Sequence, residues 1–246
     1  MVTHIRQYFL LLKWQLLRLR TVIPIFAVMQ VMTGVGFILG LSFMMPEIDP
    51  ATALFFVTGG PTLVLVMVGL VMVPQMIAED KQSGSLTYIW SLPVSRITYL
   101  LADLTVWIFS TLPGVVLALV AGSRYYGFEL SVSWSVLPVA FMVSATASCM
   151  GYAIAHFVSK QQVIFMLTNF IVFSLFLFSP VSYPLERLPA WLQAVHAVLP
   201  ITYMADLMRS ALTGYTVDNA VQAFLVIGAW MLVSFAAVAI ALQKRR

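Results

Sequence analysis

The most polar part of the chain is the stretch Glu79–Arg96, which lies between two long apolar segments. A serine in it can cap a short helix, because a hydroxyl oxygen accepts hydrogen bonds from the unpaired N–H groups of a first helical turn. Leu86, Ile89 and Trp90 recur at helical spacing and form one apolar face. Pro93 disfavours helix at the residue before it, so the helix has about two turns at most. A short helix with one apolar face fits a groove on a partner protein, which makes this stretch the candidate functional site.

Other side chains that carry chemistry are scattered along the chain. His4, His156 and His196 have no ligand spacing between them, and the single cysteine, Cys149, lies in an apolar stretch. We therefore expect neither a metal site nor a disulfide within the chain. For Asp103, just inside a predicted span, a structural role is favoured over a proton relay, because no second intramembrane carboxylate or histidine accompanies it. No Ser/His/Asp constellation and no Gly-x-x-x-x-Gly-Lys-Ser/Thr loop is present, so we predict neither an enzyme nor an ATPase.

Composition decides what kind of protein positions these residues. Apolar residues make up 61% of the 246 residues and charged residues only 9%, against about 25% charged residues in typical soluble domains. This excludes a soluble globular protein and a disordered chain, and it leaves an integral membrane protein. The basic residues form no patch with interleaved aromatic side chains, so no nucleic-acid partner is expected.

Six apolar stretches approach the roughly 20 residues that a helix needs to cross a bilayer. They are Val22–Met45, Ala53–Ile77, Tyr99–Ala121, Trp134–Phe157, Val163–Val181 and Ala220–Leu242. Helices are the default, because the backbone must satisfy its own hydrogen bonds in lipid, and no alternating pattern suggests a barrel. We predict an all-α, polytopic membrane protein with a single transmembrane domain over residues 1–246.

The basic residues predict the orientation of these spans. Ten of them lie at the termini or in even-numbered loops, namely Arg6, Lys13, Arg18, Arg20, Lys81, Arg96, Lys160, Lys244, Arg245 and Arg246. Three lie in odd-numbered loops, namely Arg124, Arg187 and Arg209. Since Lys and Arg are enriched in cytoplasmic loops, both termini are expected in the cytoplasm. The expected location is the bacterial plasma (inner) membrane.

Two further segments are amphipathic but are not predicted to span. Residues 3–20 carry basic side chains on one helix face and apolar side chains on another, which predicts a helix lying against lipid at the cytoplasmic surface. In residues 185–213, after the fifth span, apolar side chains again recur at helical spacing. Pro200 suits a first helical turn and Gly214 suits a C-cap, so two short outer helices are expected. Their apolar faces should lie on the membrane surface or dip into the protein.

The stretch Glu79–Arg96 resembles a motif of the membrane-spanning permeases of type-2 ATP-binding-cassette (ABC) exporters. Glu79 and Asp80 match the acidic pair of that family, and Gly84-Ser85-Leu86 matches its Gly-Thr-Leu with a conservative change. Leu92-Pro93-Val94-Ser95-Arg96 matches the end of the motif. Thr87 departs from it, because the family usually has Glu at that position.

The outer loop carries a second part of the resemblance. The family's Pro-Leu-Glu is present as Pro184-Leu185-Glu186. Its Pro-x-Thr-Tyr-x-x-Asp-x-x-Arg stretch is present as Pro200, Thr202, Tyr203, Asp206 and Arg209, preceded by Leu199 where Asn is common. The residues assigned to the outer helices are Glu186, Trp191, Tyr203, Asp206 and Arg209.

The resemblance implies one permease half of an ABC transporter. Two permease subunits, expected to be a homodimer, would form the pathway, and two separate ATPase subunits would bind ATP and Mg²⁺. This chain would hold no cofactor itself. The resemblance makes the polar stretch a coupling helix that contacts the ATPase subunit through Glu79, Asp80, Gly84, Ser85, Leu86, Ile89, Trp90, Pro93 and Arg96. The expected activity is export of a hydrophobic or amphipathic substrate, such as a drug, lipid or glycolipid.

Pathway candidates come from residue types in and after the fifth span. Asn169 could line a pathway or bond between helices, and the second interpretation is favoured. Phe173, Phe176, Phe178 and Tyr183 are either interfacial anchors or an outer hydrophobic gate, and both interpretations stay open. Elsewhere, Gly36 and Gly40 have the small-residue spacing that is typical of close helix contacts.

A secondary carrier driven by an ion gradient, acting without an ATPase, is the alternative function. It would require inverted repeats or paired broken helices, and only the fifth span looks broken. A membrane enzyme would require intramembrane catalytic residues, which the sequence does not provide.

Overall fold

The computed structural model describes residues 2–44, 49–127, 130–217 and 219–243, which form helices joined by short loops. The helices are α1 (Val2–Leu19), α2 (Val22–Met44), α3 (Pro50–Met67), α4 (Val73–Gln82), α5 (Ser85–Ser91), α6 (Arg96–Tyr126), α7 (Val136–Phe157), α8 (Gln161–Phe178), α9 (Ala190–His196), α10 (Pro200–Thr213) and α11 (Ala220–Gln243). A π-helical turn, Val68–Met72, joins α3 to α4, and a 3₁₀ turn, Leu185–Arg187, precedes α9. The described residues contain no strand, and the predicted all-α fold is confirmed.

Six helices of the described residues are long and apolar enough to cross a membrane: α2, the continuous helix from α3 to α4, α6, α7, α8 and α11. This number confirms the prediction. Some helices are longer than the predicted apolar stretch, because helical hydrogen bonding continues beyond the apolar segment. The helix α6, for example, starts at Arg96 rather than at Tyr99. The fifth span instead ends early, at Phe178, before Pro180. The predicted end of the first span at Met45 and the basic residues 244–246 lie outside the described residues.

The connections define two ends of the helix bundle. At one end, which we call the α5 end, lie α5 between α4 and α6, the turn from α1 to α2 and the turn from α7 to α8. The α10 end carries α9 and α10 between α8 and α11. At the α5 end, α1 packs against α6 and buries Leu11, Gln15 and Leu19, while Phe9 and Leu17 are exposed. The helix α1 therefore has one apolar face for the bundle and a second for lipid.

The second span is the centre of the bundle, since 83% of its most apolar window is buried, against 17% for α8. Its start is capped by Asp49, whose carboxylate accepts from the Thr52 backbone N–H at 3.2 Å. At the π-helical turn, the span meets α7 backbone to backbone. A Cβ built on Gly69 would lie 2.4 Å from the carbonyl carbon of Ala147, and one built on Gly151 would lie 2.0 Å from the Gly69 carbonyl oxygen. Only glycine permits this approach, so the second span and α7 pack as one unit.

The two outer helices differ in burial. The helix α10 inserts among α3, α7 and α11 and is buried along most of its length, including Met204, Met208 and Leu212. It therefore dips into the protein, one of the two arrangements expected from its sequence. The helix α9 is more peripheral, with Trp191 68% exposed. The chain bends sharply between them, and Pro200 begins α10 because proline suits a first helical turn.

Candidate functional site

The short helix α5 forms as the sequence predicts, but its apolar face points inward. Gly84 precedes it with φ of 78°, a left-handed conformation that favours glycine. Leu86 and Ile89 are buried in this chain's own core, at 5% and 2% exposure. This differs from the prediction that this face fits a partner's groove, because the bundle itself covers the face. The surface left for a partner is the opposite one, where Tyr88 is 65% exposed.

Aromatic contacts fasten α5 to the bundle. The Trp90 ring stacks on the His156 ring of α7, with centroids 6.0 Å apart. The Arg96 guanidinium of α6 lies 4.9 Å from the Trp90 ring centroid, within cation–π range. His156 Nδ1 is 2.8 Å from the Tyr152 carbonyl oxygen, one helical turn earlier. These ring contacts connect α5 directly to α6 and α7.

The acidic pair lies on the last turn of α4, not in a loop, and its members have different surroundings. Asp80 is buried and forms an ion pair with Arg18 of α1, whereas Glu79 is exposed. Burial lowers the pKa of the Arg18 guanidinium, but the charge and hydrogen bond of Asp80 outweigh it and hold that pKa above its ordinary value. Lys81 donates to the Ala155 carbonyl oxygen of α7. These contacts join α1, α4 and α7 at the α5 end.

A second polar cluster lies deeper, around the Asp103 carboxylate of α6. Gln15 Nε2 of α1 donates to its Oδ1 at 2.8 Å, and Trp107 Nε1 donates to its Oδ2 at 3.1 Å. The Tyr152 hydroxyl of α7 donates to the same Oδ2. With donors from three helices, Asp103 is a structural junction, which agrees with the interpretation favoured from the sequence.

The exposed side of α5 borders a shallow groove. The groove has a volume of about 450 Å³ and is lined by Trp14 and Arg18 of α1 and by Ser83, Gly84, Ser85, Tyr88 and Ile89. The Arg18 guanidinium lies 5.5 Å from the Trp14 ring centroid. Sequence reasoning assigned α1 to the membrane surface and missed this role, because nothing in its periodicity shows that its last turns run alongside α5.

At the α10 end, Arg209 is buried to 1% exposure and holds several segments together. Its Nη1 donates to Asp206 Oδ1 at 2.7 Å, and its Nη2 donates to the Val181 carbonyl oxygen at 3.4 Å. Its guanidinium carbon lies 3.7 Å from the Phe55 ring centroid of α3. Burial lowers the pKa of Arg209, and the Asp206 charge opposes that effect. Arg209 of the outer motif therefore anchors α10 to the second span, and Asp206 pairs with its guanidinium.

The remaining outer-motif residues border a vestibule of about 440 Å³. Glu186, Tyr203 and Asp206 are among its lining residues. The Tyr203 hydroxyl donates to the Ala197 carbonyl oxygen at 2.8 Å, which closes the turn between α9 and α10. Trp191 is not among the residues that line this vestibule.

The structure separates the pathway candidates of the fifth span. Phe176 lines an apolar groove between α2, α3 and α8, whereas Phe173 and Phe178 are exposed at 65% and 50%. Asn169 Nδ2 donates to the Phe165 carbonyl oxygen of its own helix at 2.8 Å, so the amide is engaged within α8 rather than between helices. The Tyr183 hydroxyl donates to the Leu177 carbonyl oxygen at 2.6 Å and closes the end of α8.

Comparison with known proteins adds a family match to this geometry. A family model described as ABC-2 family transporter protein matches residues 42–242. The match includes α5, Asp103 and both outer helices, and it leaves out α1, with Gln15, and most of α2. A search of curated proteins found no match.

Proposed function

We propose that this chain, which belongs to the ABC-2 family of transporter proteins, couples ATP hydrolysis to export as the membrane permease subunit of an ABC transporter. The ATP is hydrolysed on a separate ATPase subunit, and the exported substrate is hydrophobic or amphipathic. The observation that carries the proposal is the two-sided character of α5. One side is buried in the bundle through Leu86 and Ile89, and the other side is exposed at Tyr88. A short rigid helix held in this way can pass the movement of a docked subunit to the spans.

The ATPase subunit docks on the exposed side of α5 and on the adjoining groove. The contact residues of the proposal are therefore Gly84, Ser85 and Tyr88, with Trp14 and Arg18 of α1 at the groove's far wall. Glu79 is exposed nearby and remains a contact. Leu86, Ile89 and Trp90 lie on the opposite side of α5 and hold it against the bundle. ATP and Mg²⁺ bind to the ATPase subunit, since the sequence of this chain has no phosphate-binding loop.

The stacked rings of Trp90 and His156 supply the route from α5 to α7. Because α7 and the second span meet backbone to backbone at Gly69 and Gly151, they move together. ATP binding between two ATPase subunits then biases the bundle between two arrangements. Export follows if one arrangement opens the pathway toward the α10 end.

A second permease copy completes the pathway, and we propose a homodimer. The most apolar windows of α2 and α8 are only 22% and 17% buried in one chain, which leaves apolar surface for a second copy and for lipid. The scarcity of charge in the spans favours a hydrophobic cargo. The α5 end carries Arg18, Lys81 and Arg96, so we place it in the cytoplasm of a bacterial plasma membrane, with both termini there.

The decisive experiment changes the exposed side of α5 without disturbing its buried side. The permease is expressed with its ATPase subunit, and Tyr88→Asp is compared with Tyr125→Asp. Tyr125 is also an exposed tyrosine, at 51%, but it lies at the α10 end. An aspartate in a desolvated interface should weaken ATPase binding at least about tenfold. Co-purification in detergent and ATP-driven substrate transport in proteoliposomes report the result.

The proposal expects Tyr88→Asp to lose the ATPase subunit and ATP-driven transport, with Tyr125→Asp retaining both. Size-exclusion profiles of the two permease variants purified without the ATPase subunit should match, because neither side chain is buried. If Tyr88→Asp keeps its ATPase subunit and transports at the unaltered rate, the docking surface is wrong. Transport that needs only an ion gradient and no nucleotide would instead support a secondary carrier.

A further inference from the structure

An apolar groove opens on one side of the bundle, between α1, α6, α7 and α11. This groove, which we name the lateral groove, has a volume of about 480 Å³. It follows the line where two packed helix pairs meet, α1 with α6 and α7 with α11. Its lining residues Leu101, Phe141 and Leu232 are exposed, so the groove opens sideways, toward the lipid around the spans.

The hydroxyl groups in the lining already have partners. The Tyr8 hydroxyl of α1 donates to the Thr105 hydroxyl of α6 at 2.8 Å, and the Thr105 hydroxyl donates in turn to the Leu101 carbonyl oxygen at 2.8 Å. The Cys149 thiol packs as a small apolar group, and the other lining side chains are apolar. An occupant of the lateral groove therefore meets hydrocarbon rather than free donors and acceptors, which suits a methylene chain.

The depth of the lateral groove matches one leaflet of a bilayer. Along α7 the groove extends from Cys149 to Phe141, which is roughly 12 Å at 1.5 Å per residue. Half of a hydrocarbon core of about 30 Å is about 15 Å. The groove begins beside Tyr8 of α1, so it can hold one acyl chain of a lipid whose head group lies at the level of α1.

Basic side chains lie on α1 next to the opening of the lateral groove. Arg6 and Lys13 lie within about two turns of Tyr8, which lines the groove. Both are exposed, and neither forms an ion pair among the described residues, unlike Arg18, which is paired with Asp80. The helix α1 contains no acidic residue. Because long basic side chains near a membrane surface attract anionic lipids, these charges suit a phosphate head group.

A second copy of this chain is a less suitable occupant. The surfaces proposed for the homodimer are on α2 and α8, and neither helix contributes a residue to the lining of the lateral groove. On α2, a Cβ built on Gly36 or Gly40 would meet no atom of the described residues within 4 Å. Contrary to the expectation from its spacing, this pair of glycines therefore mediates no close helix contact within the described part of the chain, and it leaves α2 open for the second copy.

We propose that the lateral groove binds a resident anionic phospholipid, with one acyl chain in the groove and the phosphate beside Arg6 and Lys13. The lipid fills the space that the side chains of this chain leave open between the two helix pairs. It is a fixed component rather than cargo, because the lateral groove shares no lining residue with the vestibule at the α10 end or with the groove between α2, α3 and α8. This inference goes beyond the proposed function and requires no nucleotide.

The test measures where a defined lipid binds and which head group the site prefers, in the permease–ATPase complex purified in detergent. The probe is phosphatidylglycerol with a diazirine on one acyl chain, and light-induced labelling is mapped to peptides by mass spectrometry. Label should appear on α6, α7 and α11, and unlabelled phosphatidylglycerol and phosphatidylcholine with the same chains compete with it. Phosphatidylglycerol should halve the labelling at an about tenfold lower concentration, because its net negative charge meets two basic side chains.

The charge prediction has a matched control. The double variant Arg6→Gln/Lys13→Gln should remove most of the preference for phosphatidylglycerol. The double variant Arg124→Gln/Arg187→Gln removes the same charge from exposed arginines at the α10 end and should keep the preference. If the first variant retains the full preference, or if the two lipids compete equally against the unaltered complex, the proposal is overturned.

The groove prediction uses two neighbouring residues of α11. Leu232 and Val233 are exposed to nearly the same extent, 66% and 64%, but Leu232 lines the lateral groove and Val233 does not. Leu232→Trp should abolish most of the labelling of α6 and α7, because the larger ring occupies the groove, whereas Val233→Trp should leave it unchanged. Labelling that is spread evenly over all lipid-facing helices, or that Leu232→Trp does not reduce, would mean ordinary bilayer contact and would refute the site.

Nucleotide separates this inference from the proposed function. Labelling should be the same with and without ATP turnover, and its loss during turnover would mark the lipid as cargo and refute a resident lipid. A permease that shows the labelling pattern but transports without an ATPase subunit would keep the lipid site and refute the proposed coupling. ATP-driven transport without labelling of the lateral groove would refute the lipid site and keep the proposed function.

Discussion

The contact between the second span and α7 gives the sharpest test of the packing, through the single substitution Gly151→Ala. A Cβ at this position would lie 2.0 Å from the Gly69 carbonyl oxygen and 2.9 Å from Pro74 Cδ. Since the first of these atoms belongs to backbone, the helices must separate to admit the methyl group. Overpacking of this kind costs about 3 kcal/mol. For a chain of this size, that lowers the melting temperature by about 6–12 °C.

The matched control is Gly228→Ala on α11, where an added Cβ would meet no atom within 4 Å. Alanine there should stabilise the helix by about 0.5–1 kcal/mol, because it loses less backbone entropy than glycine. The two substitutions are chemically identical and should shift the melting temperature in opposite directions. The assay is thermal unfolding of the purified protein in one detergent, followed by fluorescence-detected size exclusion.

Equal melting temperatures for the two alanine variants would refute the close backbone contact. The spans could then slide past each other, and the route proposed from α5 through α7 to the second span would lose its basis. A lowered melting temperature for Gly151→Ala alone would support the view that these two spans move as one unit.

Two further predictions concern the α10 end. Arg209→Met removes the ion pair with Asp206 and the contact with the Phe55 ring. The loss of about 3 kcal/mol should lower the melting temperature by about 6–12 °C. The control Arg187→Met, at an exposed arginine of the same end, should change the melting temperature little. His196 Nε2 donates to the Phe178 carbonyl oxygen at 2.8 Å, and burial lowers the pKa of His196 against a smaller opposing effect of that hydrogen bond. The unfolded state therefore binds a proton at His196 more readily than the folded state does. The stability that neutral His196 contributes is fully present above its unfolded pKa of about 6.5, and it is lost as pH falls through its lower folded pKa. The fall in melting temperature between pH 7.5 and pH 5.5 should be smaller in His196→Gln than in the unaltered protein, and an equal fall in both would contradict this assignment.

The helix α5 shows what the periodicity of apolar residues can predict and what it cannot. Its existence and its end before Pro93 follow from local rules, and the structure agrees with them. The expected serine cap is wrong, because Gly84, which has no side-chain acceptor, takes the N-cap position in a left-handed conformation. The direction of its apolar face does not follow from local rules. Leu86 and Ile89 mark a face that avoids water, but a partner protein and the chain's own core satisfy that requirement equally well. Only the packing of α5 against α6 and α7 distinguishes the two.

The polar clusters lie beyond local rules for a different reason. Asp103 was recognisable as an unusual intramembrane carboxylate, but its donors Gln15 and Tyr152 are 88 and 49 residues away along the chain. Asp80 pairs with Arg18, 62 residues away along the chain. The ion pair of Arg209 with Asp206 is local, but its contacts with Phe55 and the Val181 carbonyl oxygen come from distant segments. No spacing rule connects such residues.

The sequence by itself determined the membrane class, the number of spans and the two motifs of the family, because hydropathy and local motifs act over a few neighbouring residues. In a membrane, however, side chains that face lipid and side chains that face the core are both apolar, so composition does not reveal which face is which. Tertiary structure alone decided that α5 buries its apolar face and that Arg209 holds α10 against the second span. It also decided that the buried Gln30 amide has no hydrogen-bond partner among the described residues. These features depend on which helices meet and at what distance, and that is settled only when the whole bundle has packed.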